Sequence, residues 1–141
     1  MSDKAFFDTN VVLYAFAQDD PRMGSAELLL AAGGVISVQV LNEFCAVARR
    51  KLGMSWDEVL KGLAAIRALC RETVPITIDM HDAAVTIAQR YGYVIYEAQI
   101  IAAALKSGCA ILYTEDMRHG QVIDGLTIRN PFGELAPKSA S

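Results

Sequence analysis

The chain has 141 residues, enough for one domain that buries its own core without disulfide or metal staples. Hydrophobic residues make up 53% and charged residues 21%, which excludes a disordered chain. Net charge is −3, not the strongly basic balance that points to nucleic acid, and the longest uncharged stretch, Leu28 to Asn42, is too short to span a bilayer.

Strand-like and helix-like segments alternate along the chain. Ala5–Asp8 reads as a short apolar strand and Val11–Ala17 as a helix, broken by Asp19-Asp20-Pro21. Met23–Ala32 resumes as a helix that stops at Gly33-Gly34, and Val35–Ser37 is a strand. Val38 to Leu52 carries apolar residues at 40, 41, 44, 47, 48 and 52, a helical period ended by Gly53. Ser55 and Glu58 form a capping box for a helix running to about Cys70. Thr73–Ile78 is strand-like, and Asp79 or Asp82 begins a helix that ends near Tyr91-Gly92. Tyr96–Leu105 is a nearly all-apolar helix closed by Ser107-Gly108, and Ala110–Tyr113 and Leu126–Arg129 are the last two strands. The pattern predicts a single domain over residues 1–132, with a polar tail at 133–141 that is expected to be mobile. Strands separated by helices favour a parallel sheet covered on both faces, with ligands bound beyond the carboxyl ends of the strands.

Met-Ser-Asp-Lys leads straight into the first apolar run without a signal-peptide pattern. Cys45, Cys70 and Cys109 are odd in number and lie in apolar surroundings, as expected of reduced thiols in a cytoplasmic protein. The histidines, His81 and His119, form no zinc-like spacing.

Four carboxylates stand out. Asp8 and Asp116 each follow an apolar strand directly, so the strand-end rule brings them together. Taken alone, Asp8 would serve as an N-cap and Asp116 as a turn residue. Glu43 lies on or beside the buried stripe of its helix, between Val40 and Val47. Glu97 is the single charge between Tyr91 and Leu105, where a helix N-terminus would also favour it. A buried, unpaired carboxylate costs roughly several kcal/mol unless a cation or hydrogen bonds compensate. Clustered carboxylates raise one another's pKa by repulsion unless a divalent ion intervenes, and oxygen-only ligands select Mg²⁺ or Mn²⁺. Such an ion activates water for attack on a phosphodiester and offsets charge on the leaving oxygen. Neutralising the four acids turns the net charge from −3 to +1, and Arg49-Arg50-Lys51 and Arg118-His119 are then candidate phosphate contacts.

These features resemble the PIN-domain family, and within it the small bacterial VapC-type toxin ribonucleases. The stretches that carry the likeness are Phe7-Asp8-Thr9-Asn10-Val11-Val12-Leu13-Tyr14, Val40-Leu41-Asn42-Glu43-Phe44, Tyr96-Glu97-Ala98-Gln99-Ile100 and Leu112-Tyr113-Thr114-Glu115-Asp116-Met117. The endings His119-Gly120-Gln121 and Asn130-Pro131-Phe132 also match, so the likeness runs from Phe7 to Phe132. It implies a three-layer α/β/α fold with a central, mainly parallel sheet, and Mg²⁺- or Mn²⁺-dependent RNA cleavage. Asp8 matches the first acid of the family, Glu43 the helix acid, Asp116 the acid after the fourth strand and Thr114 a hydroxyl position beside them. Asn10 matches a polar support. Glu97 stands where the family usually has Asp, one methylene longer in a site whose ion demands near-ideal octahedral geometry. The resemblance further implies a homodimer and a small antitoxin whose C-terminal segment blocks the acidic groove. Exposed apolar residues among Leu28-Leu29-Leu30 or at Trp56 are candidates for either contact. Two alternatives remain at this stage: a PIN fold that binds RNA or a partner without cutting, and a phosphoryl-transfer or receiver domain using Asp8 as nucleophile. Against the latter, the residue two after Asp8 is Asn10 and not a second Asp.

Overall fold

A computed structural model of the chain describes residues 4–133, and of the expected tail at 133–141 only Gly133 falls within it. Six strands form one sheet: β1 (Ala5–Phe7), β2 (Val35–Ser37), β3 (Glu72–Val74), β4 (Ile111–Tyr113), β5 (Val122–Ile123) and β6 (Leu126–Arg129), in the order β3-β2-β1-β4-β6-β5. All neighbours pair in parallel except β5 with β6. The helices are α1 (Thr9–Tyr14), α2 (Met23–Ala31), α3 (Val38–Arg50), α4 (Trp56–Leu69), α5 (Ile78–Tyr91) and α6 (Ile95–Lys106). The expected mainly parallel α/β sheet is therefore present. The chain runs outward from β1 to β2 and β3, then returns to the other side of β1 with β4. That reversal of strand order lies between β1 and β4, where a cleft opens beyond their carboxyl ends.

The central strands read as continuous apolar runs because both faces are covered; Phe6, Ile36, Leu112 and Ile128 are all fully buried. Gly34 precedes β2 where a Cβ would lie 2.8 Å from the Ala5 carbonyl oxygen and 2.5 Å from the Phe7 ring, so only glycine lets β2 lie this close to β1. One face of α3 (Val40, Phe44 and Ala48) is fully buried. Phe44 packs edge-on against Phe16, with ring centroids 5.2 Å apart. Burying a side chain of this size stabilises the fold by about 1.5–3 kcal/mol and fixes the rotation of α3. The adjacent face, four residues per step, carries Gln39 and Glu43 toward the cleft.

Several element ends differ from the sequence-based expectation, and α1 stops at Tyr14, short of the expected Ala17. The first helix starts at Thr9, with the Asp8 side chain accepting from the Thr9 amide as its N-cap. The strand expected at Thr73–Ile78 covers Glu72–Val74, because Pro75 has no N–H for the ladder. Thr77 then caps α5, accepting from the Met80 amide at 3.1 Å, so neither Asp79 nor Asp82 begins that helix. The unexpected strand β5 forms a hairpin with β6 through Asp124 and Gly125, both at positive φ (48° and 86°). The Ser55–Glu58 capping box and the Gly92 helix stop form as expected. Cys45, Cys70 and Cys109 are unpaired, with Cys70 and Cys109 buried. Among the described residues no helix is long and apolar enough to cross a membrane.

Candidate active site at the sheet switch point

β1 and β4 pair in register, Phe7 opposite Tyr113, and the Asp8 amide continues the ladder by donating to the Tyr113 carbonyl at 3.0 Å. The next residues along each strand, Asp8 and Thr114, are therefore neighbours. Thr114, fully buried, donates from Oγ1 to Asp8 Oδ2 at 2.8 Å. The other oxygen, Asp8 Oδ1, accepts from the Thr9 amide at 2.7 Å. Asp8 is thus both the cap of α1 and a wall of the cleft.

The cleft is a cavity of about 470 Å³. Asp8, Glu43, Glu97 and Asp116 all line it, so the fold brings together every acid singled out in the sequence. Asp8 is buried, Glu43 and Glu97 are half-buried, and Asp116 is exposed at the mouth. Neutral donors hold the acids in place. Thr9 Oγ1 donates to Glu43 Oε1 at 2.8 Å, and Asn10 Nδ2 donates to Asp116 Oδ2 at 3.0 Å. The Asp116 amide donates to Thr114 Oγ1 at 3.1 Å, which ties the loop after β4 to the same hydroxyl that holds Asp8.

The Asp8 carboxyl is pushed up from 3.8 to about 6, first by burial. The hydrogen bonds from Thr114 and the Thr9 amide oppose that rise, and the charges of Asp116 and Glu43 add to it. Mutual repulsion, expected from the sequence as the main cause, is secondary to desolvation here. An ionised Asp8 calls for a cation, and a donor set made only of carboxylate oxygens suits a hard divalent ion. Among the described residues, no three Asp, Glu, His or Cys side chains are grouped so as to hold such an ion as they stand. Thr9 engages Glu43 through Oε1 and Asn10 engages Asp116 through Oδ2, so each acid keeps a second oxygen for an ion, and joining Asp8 around one ion calls for side-chain movement.

Two supporting groups escaped the sequence reading. Gln39, one helical turn before Glu43, donates from Nε2 to the Tyr96 carbonyl at 3.1 Å and to Glu43 Oε1 at 3.5 Å. It ties α3 to the first turn of α6, which carries Glu97, and its i−4 spacing from Glu43 was a usable signal. The second group lies behind Asp116. Arg22, buried, donates to both carboxylate oxygens of Glu115 at 2.8 and 2.9 Å and to both of Asp20 at 2.8 and 2.7 Å. Its guanidinium stacks 3.7 Å from the Tyr14 ring centroid, and the Tyr14 hydroxyl donates to Glu115 at 2.6 Å. This network pins the residue next to Asp116, and its members lie too far apart in sequence for any local pattern to mark them.

Of the candidate phosphate contacts, Arg50 and Lys51 line the cavity. Arg49 donates to the Met54 carbonyl and lies over Trp56 instead. Arg118 packs on Tyr93, and His119 Nδ1 accepts from the Asn130 amide, so both are occupied elsewhere. Leu28 and Trp56 are exposed, whereas Leu30 is core.

The family model of the PIN domain matches residues 5–124. The fold is similar to that of VapC20 from Mycobacterium tuberculosis, a Sarcin–Ricin-loop-cleaving toxin, with a TM-score of 0.66 and 25% identity over 80% of this chain and 90% of that one. It is also similar to a chain of a toxin–antitoxin complex from Klebsiella pneumoniae, with a TM-score of 0.69 and 21% identity over 91% of this chain and 98% of that one. No curated protein matches the chain. With the match covering every strand of the parallel sheet but the last, and all four acids, this chain belongs to the PIN domain family.

Proposed function

We propose that this chain is a metal-dependent endoribonuclease, the toxin of a toxin–antitoxin pair, acting in the cytoplasm on RNA phosphodiesters. The observation that carries this reading is Asp8, buried at the β1/β4 switch point and facing a cavity shared with Glu43, Glu97 and Asp116. PIN membership and the likeness to a Sarcin–Ricin-loop-cleaving toxin support the substrate class, and the likeness to a toxin–antitoxin complex supports an antitoxin partner. PIN nucleases generally use divalent ions, and we assign Mg²⁺ or Mn²⁺ here because every donor is a carboxylate oxygen. A homodimer follows from the same family likeness.

The residues have distinct parts in this reading. Asp8, Glu43, Glu97 and Asp116 would hold one or two ions, and a bound hard cation supplies charge neutralisation and water activation. Thr114 orients Asp8 by its 2.8 Å hydrogen bond and keeps the carboxylate ionised against its burial. Thr9 and Asn10 hold Glu43 and Asp116 within reach of the reacting phosphate. Burial of Asp8 at the cleft wall lowers the local dielectric, which strengthens each electrostatic contact it makes.

The test is cleavage of a mixed single-stranded RNA by chain freed of any bound partner, in Mg²⁺, Mn²⁺ or EDTA, beside Asp8→Asn. Cleavage that needs the ion and is lost in the variant is expected; cutting in EDTA, or cutting that survives Asp8→Asn, overturns the assignment. Glu97 favours a second reading, a PIN fold that binds RNA without cutting, since its carboxylate sits one methylene beyond the usual Asp. That reading gains if RNA binds intact and Glu97→Asp restores cleavage.

A further inference from the structure

Four acids in a chain of net charge −3 repel the very polyanion that the nuclease reading supplies as substrate. Something in the cavity must attract the strand, and the order of residues along α3 identifies it. Gln39, Glu43 and Arg50 all line the cavity from α3. At 1.5 Å per residue, Gln39 stands about 6 Å before Glu43 and Arg50 about 10 Å beyond it along the helix axis. The Gln39 end is fixed to Tyr96 through the Tyr96 carbonyl, and the Tyr96 ring is 69% exposed on the cavity rim. A solvated aromatic ring at the mouth of a cleft is a stacking surface that any nucleobase can use. At the other end Arg50 and Lys51 line the cavity, exposed, and among the described residues their side chains make no ion pair or hydrogen bond. Cations at the end of α3 also suit its dipole, yet Arg49 meets that need while committed to Met54 and Trp56. Lys51 also lines a second cavity over the loop from Phe16 to Arg22, which Asp19 and Asp20 share, so the cationic stretch ends at the Arg50–Lys51 pair.

Resting on the nuclease reading, we propose that Tyr96 and the Arg50–Lys51 pair mark the two ends of a single-stranded RNA path along α3. A base stacks on Tyr96, the scissile phosphate lies at the carboxylates, and Arg50 and Lys51 bind phosphates beyond it. Between them the cavity is lined by apolar Leu13, Val47 and Ile100 and by Thr9, Asn10 and Gln39, whose donors are committed to Glu43, Asp116 and the Tyr96 carbonyl, so the path takes unpaired RNA of varied sequence. Tyr96, Arg50 and Lys51 are binding residues; the chemistry stays with the acids.

The experiment is a salt titration of binding to a short fluorescein-labelled single-stranded RNA, followed by anisotropy in the Asp8→Asn background with Mg²⁺, with cleavage kinetics in the otherwise native chain. Each lost phosphate contact lowers the slope of log K against log salt by about 0.7 for a single strand, so Arg50→Ala/Lys51→Ala should lower it by about 1.4. Tyr96→Leu should weaken binding about tenfold and leave the slope alone. Arg49→Ala should change neither. In cleavage, the double variant and Tyr96→Leu should raise KM and largely keep kcat. RNA bound with an unchanged slope in the double variant, or an equal loss in Arg49→Ala, overturns the path and leaves the nuclease reading standing. If the otherwise native chain cuts no RNA in either ion and the Asp8→Asn chain binds none, the reading and the path fall together. All four side chains are on the surface, so the variants should melt as the parent does.

Discussion

Replacing Asp8 by Asn in metal-free protein removes a buried charge while keeping the side chain's shape and its capping of α1. Burial raises the Asp8 carboxyl from 3.8 to about 6, so the folded chain takes up its proton at a higher pH than the unfolded chain does. Below pH 3.8 both forms are protonated and the stabilising effect of that proton is complete; it is lost as pH rises toward 6 and is absent above. The gap corresponds to about 3 kcal/mol, which the ionised Asp8 costs the metal-free fold at neutral pH. Asp8→Asn should therefore be more stable than the parent by up to about 3 kcal/mol near pH 8 in EDTA, a rise in Tm on the order of 10 °C. Near pH 4 the two proteins should melt nearly together. Urea or thermal unfolding at the two pH values measures the gap. Adding Mn²⁺ should then raise the parent's Tm, since a ligand at about 100 times its Kd contributes about 2.7 kcal/mol, and leave the variant unmoved. A variant that is no more stable near pH 8, or whose advantage persists in acid, would refute the claim that Asp8 is held ionised against its surroundings.

Thr114→Val keeps the shape of a fully buried side chain while removing the donor to Asp8 and the acceptor for the Asp116 amide. It should cost about 1–3 kcal/mol in chemical unfolding and lower kcat by about a hundredfold through misplacement of Asp8; parental kcat would contradict the positioning role. Arg22→Ala strips Glu115 and Asp20 of their shared cation, and should cost about 2–4 kcal/mol in the same assay, with activity falling as the Asp116 loop loosens.

The layers of this fold were readable because each depends on a local pattern. The α3 stripe, the Ser55–Glu58 box and the Gly92 stop follow from a few adjacent residues, and the strand-end rule places Asp8 and Asp116 at one edge from the sequence alone. The hairpin of β5 and β6 has a local signal as well, since Asp124-Gly125 between Ile123 and Leu126 is a strong two-residue turn sequence. Thr73–Ile78 misled because its apolar alternation continues through Pro75, whose missing N–H ends the strand regardless of pattern. The Arg22–Glu115–Tyr14 network had no such signal. Its partners are up to 101 residues apart, and only the finished sheet places them side by side.

Three consecutive residues at the end of β1 organise three of the four acids. Asp8 supplies the buried charge, Thr9 reaches α3 to hold Glu43, and Asn10 reaches across β1 and β4 to hold Asp116. Asn10 also accepts from the Glu115 amide at 3.3 Å, so the loop after β4 is fastened from both its backbone and its side chains. The donors to Glu43 and Asp116 are uncharged side chains. They balance the hydrogen-bonding needs of carboxylates without cancelling their charge, so the attraction for a divalent ion is retained. A lysine or arginine at Thr9 or Asn10 would satisfy the same acids more strongly, and would compete with the metal for them. Hydroxyl and amide donors beside these acids, with the arginine placed one residue away on Glu115, orient the carboxylates and leave their charge for a cation.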